Sequence, residues 1–213
     1  MSDPRALADG HEIPTEVKDP GLVAQRRRQI VDAAVGLFIA NGFHKTTTRQ
    51  IAKAAGFSIG NLYQYVKTKE DVLYLVCQAI HQEMEERLNQ RVRYAGNAAS
   101  ALAEAIENYF LVCHQMSDHI LLIYQETKSL TRQSMRFVLA HEERITQIFA
   151  DLLRKGVTDY TLKPLQRGQV ELMAHNIMVL GHMWTFRRWS LARHFSLDEY
   201  VQHQRDLIMS ELI

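Results

Sequence analysis

The sequence predicts an all-α fold, and three observations carry that prediction. Residues 21–163 contain no proline, so over 143 residues nothing forces the backbone out of a helix. Apolar residues recur at spacings of three and four along most of the chain. No segment alternates apolar and polar residues for long enough to make a strand. With 213 residues, 46% of them hydrophobic and 23% charged, the chain can bury a core without disulfide or metal staples. The same composition excludes wholesale disorder.

Residues 1–22 read as a flexible leader with three of the four prolines and no periodicity. A helix is predicted from near Leu22, with Ile30, Ala33, Ala34, Leu37 and Phe38 on one face and Asn41-Gly42 as its stop. Thr47 with Gln50 forms a capping box for a short second helix whose inner face is Ile51, Ala52 and Ala55. Gly56 breaks it, and Ser58 caps a third short helix with Leu62 and Val66 inward. Thr68 and Asp71 open a long helix through Val72, Leu73, Val76, Ile80, Met84, Leu88 and Val92, which Gly96-Asn97 ends. Further helical patterns cover about 99–116, 118–130, 133–155, 165–193 and 197–212. Gly156 reads as a stop, Lys163-Pro164 as a start, and Ser196 with Glu199 as a capping box.

Several classes are disfavoured. Cys77 and Cys113 make no disulfide framework and have no zinc spacing, which points to a reducing cytoplasm. The acidic N-terminus lacks the apolar core of a signal peptide. The most apolar stretch, Val170 to Phe186, contains Glu171, His175, Asn176 and His182, too polar and too short for a membrane span. Cys77 with His81 and His175 with His182 share helix faces, but two ligands are not a metal site. No nucleophile motif such as G-x-S-x-G is present, so no enzyme is expected.

Charge is distributed unevenly. The chain as a whole is +1, yet residues 24–70 carry eight basic residues against Asp32 and Glu70, a net +6. Such a block suits a nucleic-acid footprint or a solvated basic face. Within it, the two short helices joined by Ala55-Gly56-Phe57 have the spacing of a helix-turn-helix. The turn glycine permits a left-handed backbone, and Ala52 and Ala55 permit close approach.

Residues 24–71 then resemble the DNA-binding domain of the TetR family of bacterial transcriptional regulators. The resemblance rests on A-x-x-L-F-x-x-x-G-F, T-T-x-x-x-I-A-x-x-A-G, G-x-L-Y-x-Y and K-x-E followed by an apolar run, in that order. Val66 departs from it, since the family more often has phenylalanine there. The resemblance implies a three-helix head over 23–70 and a helical ligand-binding and dimerisation body over 71–213. It also implies that Thr47 and Thr48 contact phosphates with Arg49 beside them. Ser58, Ile59, Gly60, Asn61, Tyr63, Gln64 and Tyr65 would form the recognition surface. Lys69 would meet the DNA backbone, and Arg26, Arg27 and Arg28 would supply charge from an arm. Two plainer readings stay open: Tyr65 as a wedge between helices, and the three arginines as solvated charge.

Beyond residue 80 the resemblance is weak, and it implies only a dimerising body that holds a small effector. Val170 to Phe186 is apolar almost all round and suits either a subunit interface, with Gly181 at the close approach, or a central core helix. Tyr109, His114, Tyr124, Gln125, Asn176, Trp184 and Arg187 are polar groups in apolar helices and are candidate effector anchors. The stretch Ile120 to Leu130 with Arg132 and Arg136 resembles the members that regulate fatty-acid and sterol breakdown and sense acyl-CoA thioesters. The expected function is a repressor on an operator, a homodimer, released by an apolar ligand such as an acyl-CoA. No cofactor or membrane partner is implied. The alternatives are a sensor of lipophilic drugs, for which Glu126 is the acidic candidate, and a ligand-independent architectural DNA-binding protein.

Overall fold

The computed structural model describes residues 13–91 and 96–213, and among them all regular structure is helical. The helices are α1 (Pro20–Asn41), α2 (Thr48–Ala54), α3 (Ile59–Leu62), α4 (Lys69–Arg91), α5 (Ala98–Gln115), α6 (Ser117–Glu126), α7 (Arg132–Thr158), α8 (Gln169–Leu191) and α9 (Leu197–Ser210). Val92 and leader residues 1–12 lie outside the described residues. Two compact units result. Among the described residues, one gathers those up to Gln82 with Leu122–His141, and the other gathers those from Glu83 to Leu121 with Glu142–Ile213. No helix among the described residues is long and apolar enough to cross a membrane.

In the first unit, α1 starts two residues before the predicted Leu22. The Asp19 carboxylate accepts hydrogen bonds from the Gly21 and Leu22 amides at 2.9 and 3.2 Å. Pro20, with its φ preset and no N–H to satisfy, suits the first helical position. Residues 13–19, assigned to the flexible leader, are anchored: Ile13 is 2% exposed. The inner faces of α1 and α2 follow the predicted periodicity, with Ile30, Ala34, Phe38, Ile51 and Ala52 buried. Gly56 takes φ +76°, and the Phe57 amide reaches back to the Ala52 carbonyl at 2.8 Å, which closes α2 and turns the chain into α3. Leu62 and Val66 are fully buried, so valine at 66 fills a core position. Thr68 and Asp71 cap α4 as expected, with the Asp71 amide donating to the Thr68 hydroxyl at 3.0 Å. Along α4, Val72, Leu73, Val76 and Ile80 are buried in this unit, and Met84 and Leu88 are buried in the second.

In the second unit, α5 is the hub on which α8 and α9 pack. Two sequence expectations are corrected here. Gly156 does not stop a helix: α7 runs through it to Thr158, and a Cβ there would sit 2.5 Å from the Leu162 side chain. The helix expected from residue 165 begins at Gln169, because Gly168 holds φ +83° just before it. Both differences arise because a glycine's conformation depends on its neighbours: one is needed for a close contact, the other for a left-handed backbone.

Gly181 also moves. It faces α5 of its own chain, where a Cβ would lie 2.5 Å from Tyr109 Cε1 and 3.2 Å from Cys113 Sγ. Beside it the Tyr109 hydroxyl meets His182 Nε2 at 2.8 Å, and both side chains are buried. The close approach is thus within one chain and not between subunits. Replacing Gly181 with Leu should lower the unfolding free energy by about 1–3 kcal/mol or more through overpacking. Urea unfolding checks this, and a variant as stable as the parent would contradict the packing at Tyr109.

Candidate nucleic-acid interface

In the first unit Thr48, at the start of α2, and Tyr63, just after α3, meet through their hydroxyls. Thr47 caps α2: its hydroxyl accepts from the Gln50 amide at 3.2 Å, while the Gln50 side chain accepts from the Thr47 amide at 2.8 Å. Thr48, the first residue of α2, places its hydroxyl 3.2 Å from the Tyr63 hydroxyl. Tyr63 itself is 40% exposed. Two hydroxyls 15 residues apart in sequence therefore stand together; one donates to the other, and the hydrogen of the acceptor hydroxyl is left to donate to an anionic oxygen. Arg49 and Lys53 are exposed on the same short helix.

Ser58 caps α3 by accepting from the Asn61 amide at 3.1 Å. Ile59 is 37% exposed, and Gly60 has nothing within 4 Å of where a Cβ would stand. The absence of a side chain at Gly60 leaves the backbone open to a close-lying partner. Gln64 is exposed, while Asn61 is half-buried. Tyr65 is 5% exposed, with its ring 6.2 Å from that of Phe57, in keeping with the wedge reading.

The arginine run is divided by the structure. Arg26 lies over the Phe57 ring at 5.5 Å and donates to Gln29. Arg27 is half-buried and donates to two backbone carbonyls, those of Tyr65 at 3.0 Å and Ile13 at 2.6 Å. Arg28 is exposed. Lys69 is likewise engaged internally. Its ammonium donates to the carbonyls of Phe43 at 2.9 Å and Thr46 at 3.1 Å and sits 4.2 Å from the Phe43 ring centroid. No sequence pattern marked Arg27 and Lys69 as donors to carbonyls, because their partners are 14 to 38 residues away.

The candidate effector residues fall in both units. In the first unit, Arg132 and Arg136 with Gln133 and Phe137 line a groove of about 470 Å³, while Tyr124 and Gln125 are exposed on α6. In the second, Tyr109 is tied to His182, and Trp184 donates to His114 Nδ1 at 3.1 Å. Asn176 lines a separate groove with Lys163 and Leu172, and Arg187 lies over Trp189 at 5.0 Å. Burial pushes the thiols of Cys77 and Cys113 up to about 12, so neither is a thiolate at neutral pH. Among the described residues, no group of three or more His, Cys, Asp or Glu could hold a metal ion.

This geometry has known counterparts. The family model of bacterial regulatory proteins, tetR family, matches residues 30–74. The HTH-type transcriptional regulator HbdR of Aromatoleum sp. (strain CIB) is 29% identical over 196 residues, 92% of this chain and 84% of its own. A fatty acid metabolism regulator protein of Bacillus subtilis (strain 168) is 35% identical over 95 residues, 45% of this chain and 48% of its own. Among solved structures, AibR in complex with isovaleryl coenzyme A and operator DNA superimposes with a TM-score of 0.69 at 17% identity, over 85% of this chain and 97% of that one.

Two substitutions separate scaffold from surface. Lys69→Met should cost about 1–3 kcal/mol, since it strands carbonyls that a cation now satisfies. Gly60→Ala should be neutral or add up to about 1 kcal/mol, because the helix gains and nothing is met. Denaturant titrations of both variants test the assignment, which equal stabilities would contradict.

Proposed function

Because the chain is a transcriptional regulator of the TetR family, we propose that it is a repressor that binds its operator as a homodimer and leaves it when an acyl-CoA thioester binds. Regulators of this family bind operator DNA and are not enzymes. The observation that carries the DNA half is the shared surface of Thr48, Tyr63 and the open backbone at Gly60. On this reading residues 23–70 are the DNA-reading head and 71–213 the effector-binding and dimerisation body. Thr47, Thr48 and Tyr63 hold phosphates, the backbone at Gly60 lies against the groove wall, and Ile59, Asn61 and Gln64 face base edges. Exposed Leu172 and Val179 on α8 and Leu207 on α9 supply the apolar face for a second copy. A two-fold dimer then sets its recognition segments about 34–36 Å apart, one turn of DNA.

For the effector, Arg132 and Arg136 stand one helical turn apart beside Phe137, a pair of cations suited to the phosphates of a nucleotide-bearing thioester. The fatty-acid regulator among the relatives and the isovaleryl-CoA complex among the solved structures support this ligand class. A sensor of lipophilic cations would need an unpaired acidic anchor. Glu126, the candidate, is 9% exposed and lies 3.8 Å from His44 and 3.3 Å from Ser129. By linkage, DNA weakens thioester binding as much as the thioester weakens DNA binding.

Fluorescence anisotropy on the DNA upstream of the chain's own gene, titrated with acyl-CoA thioesters of graded length, tests the reading. Specific binding with a Kd of about 10⁻⁸ M or below is expected. A thioester should release the DNA while the free acid does not. Tyr63→Phe, which keeps the ring and removes the hydroxyl, should weaken operator binding about tenfold with the fold intact by circular dichroism. Tight DNA binding that no thioester alters would remove the acyl-CoA assignment and leave the repressor.

A further inference from the structure

We propose that residues 13–16 and Arg27 form a brace that holds the recognition segment in its DNA-reading position, so that operator recognition depends on chain outside the matched region 30–74. The inference rests on the DNA-binding reading above. It starts from the brevity of α3, four residues from Ile59 to Leu62. One turn of helix cannot hold its own trailing end, because the last carbonyls have no following turn to accept from. The chain continues through Tyr63 to Val66 in turns, and the carbonyls of Gln64 and Tyr65 lie at that trailing end.

Both carbonyls are met from upstream. The Thr15 hydroxyl donates to the Gln64 carbonyl at 2.8 Å. Arg27 Nε donates to the Tyr65 carbonyl at 3.0 Å, and its Nη2 donates to the Ile13 carbonyl at 2.6 Å. One guanidinium thereby ties the upstream segment and the recognition segment to α1. Ile13, 2% exposed, fixes the segment by burial, and Glu16 stands 3.6 Å from Lys67. A planar group with several donors is needed to serve two carbonyls at once, which an ammonium on a flexible stem does poorly. Arg27 is therefore a positioning residue for DNA recognition and not a phosphate contact. Thr15 and the backbone at Ile13 are its partners.

The salt dependence of DNA binding separates the two roles. A lost phosphate contact flattens the slope of log K against log salt by about one and weakens all sequences alike. A lost brace leaves that slope unchanged and weakens the operator selectively. For the full chain carrying Arg27→Gln, about tenfold weaker operator binding is expected, with an unaltered salt slope and unaltered binding to unrelated DNA. Arg27→Lys should not restore affinity. Thr15→Val should lose about threefold, and the double variant should lose less than the product of the two. Should Arg27→Gln fail to fold by circular dichroism, Thr15→Val decides, and parent-like affinity in that variant overturns the brace. A flattened slope or rescue by lysine overturns it as well. A parent chain that prefers no DNA sequence overturns instead the function on which the brace rests.

Discussion

Backbone carbonyls that no helix can satisfy govern the architecture of the first unit. An α-helix leaves its last four carbonyls without internal partners, and α3 is only four residues long, so almost all of it is an end. The chain answers with long-range donors. Arg27 and Thr15 serve the carbonyls after α3, and Lys69 serves those of the loop before α2. These bonds span 23 to 49 residues, so the short elements are fixed by the tertiary fold and not by their own propensity. The surface they present is correspondingly specific: the hydroxyls of Thr48 and Tyr63 meet only if both helices are in place.

The second unit solves a different problem, a helix with apolar residues on several sides. The inner face of α8 reaches α5 through Gly181, where the absent side chain makes room for Tyr109. Two buried polar groups there, Tyr109 and His182, satisfy each other, and Trp184 finds His114. The outer positions Leu172 and Val179 of the same helix remain at the surface. Tyr200 fastens α9 to α8 by donating to the Leu180 carbonyl at 2.6 Å. The core and the exposed apolar face of α8 are thus separate, and a substitution on one need not disturb the other.

Much of this was legible in the sequence because periodicity reports faces. The buried positions of α1, α2 and α4 and the turn at Gly56 follow from spacing and from one residue that tolerates positive φ. What periodicity cannot report is the partner of a face. It marked α8 as apolar all round without telling which side Gly181 served, and it marked nine effector candidates without telling that Tyr109 meets His182 and Trp184 meets His114. Gly156 read as a breaker, yet it is compelled by its contact with Leu162, while the left-handed backbone that delays the next helix sits at Gly168, which no spacing marked. Asp19-Pro20 was a readable start signal that the proline-rich leader obscured.

The basic block shows why formal charge overstates a nucleic-acid footprint. Of the residues that make 24–70 a net +6, Arg27 and Lys69 are engaged by carbonyls and Lys67 stands beside Glu16. Arg28, Lys45, Arg49 and Lys53 remain exposed. Charge at these four positions attracts a polyanion from a distance and is screened by salt. The internally bound cations do something charge counting misses: Arg27 satisfies a carbonyl just after α3, and Lys69 satisfies carbonyls of the loop before α2. Some basic residues of this block are thus spent on the fold and others stand in solvent, and a residue's sign alone does not tell which.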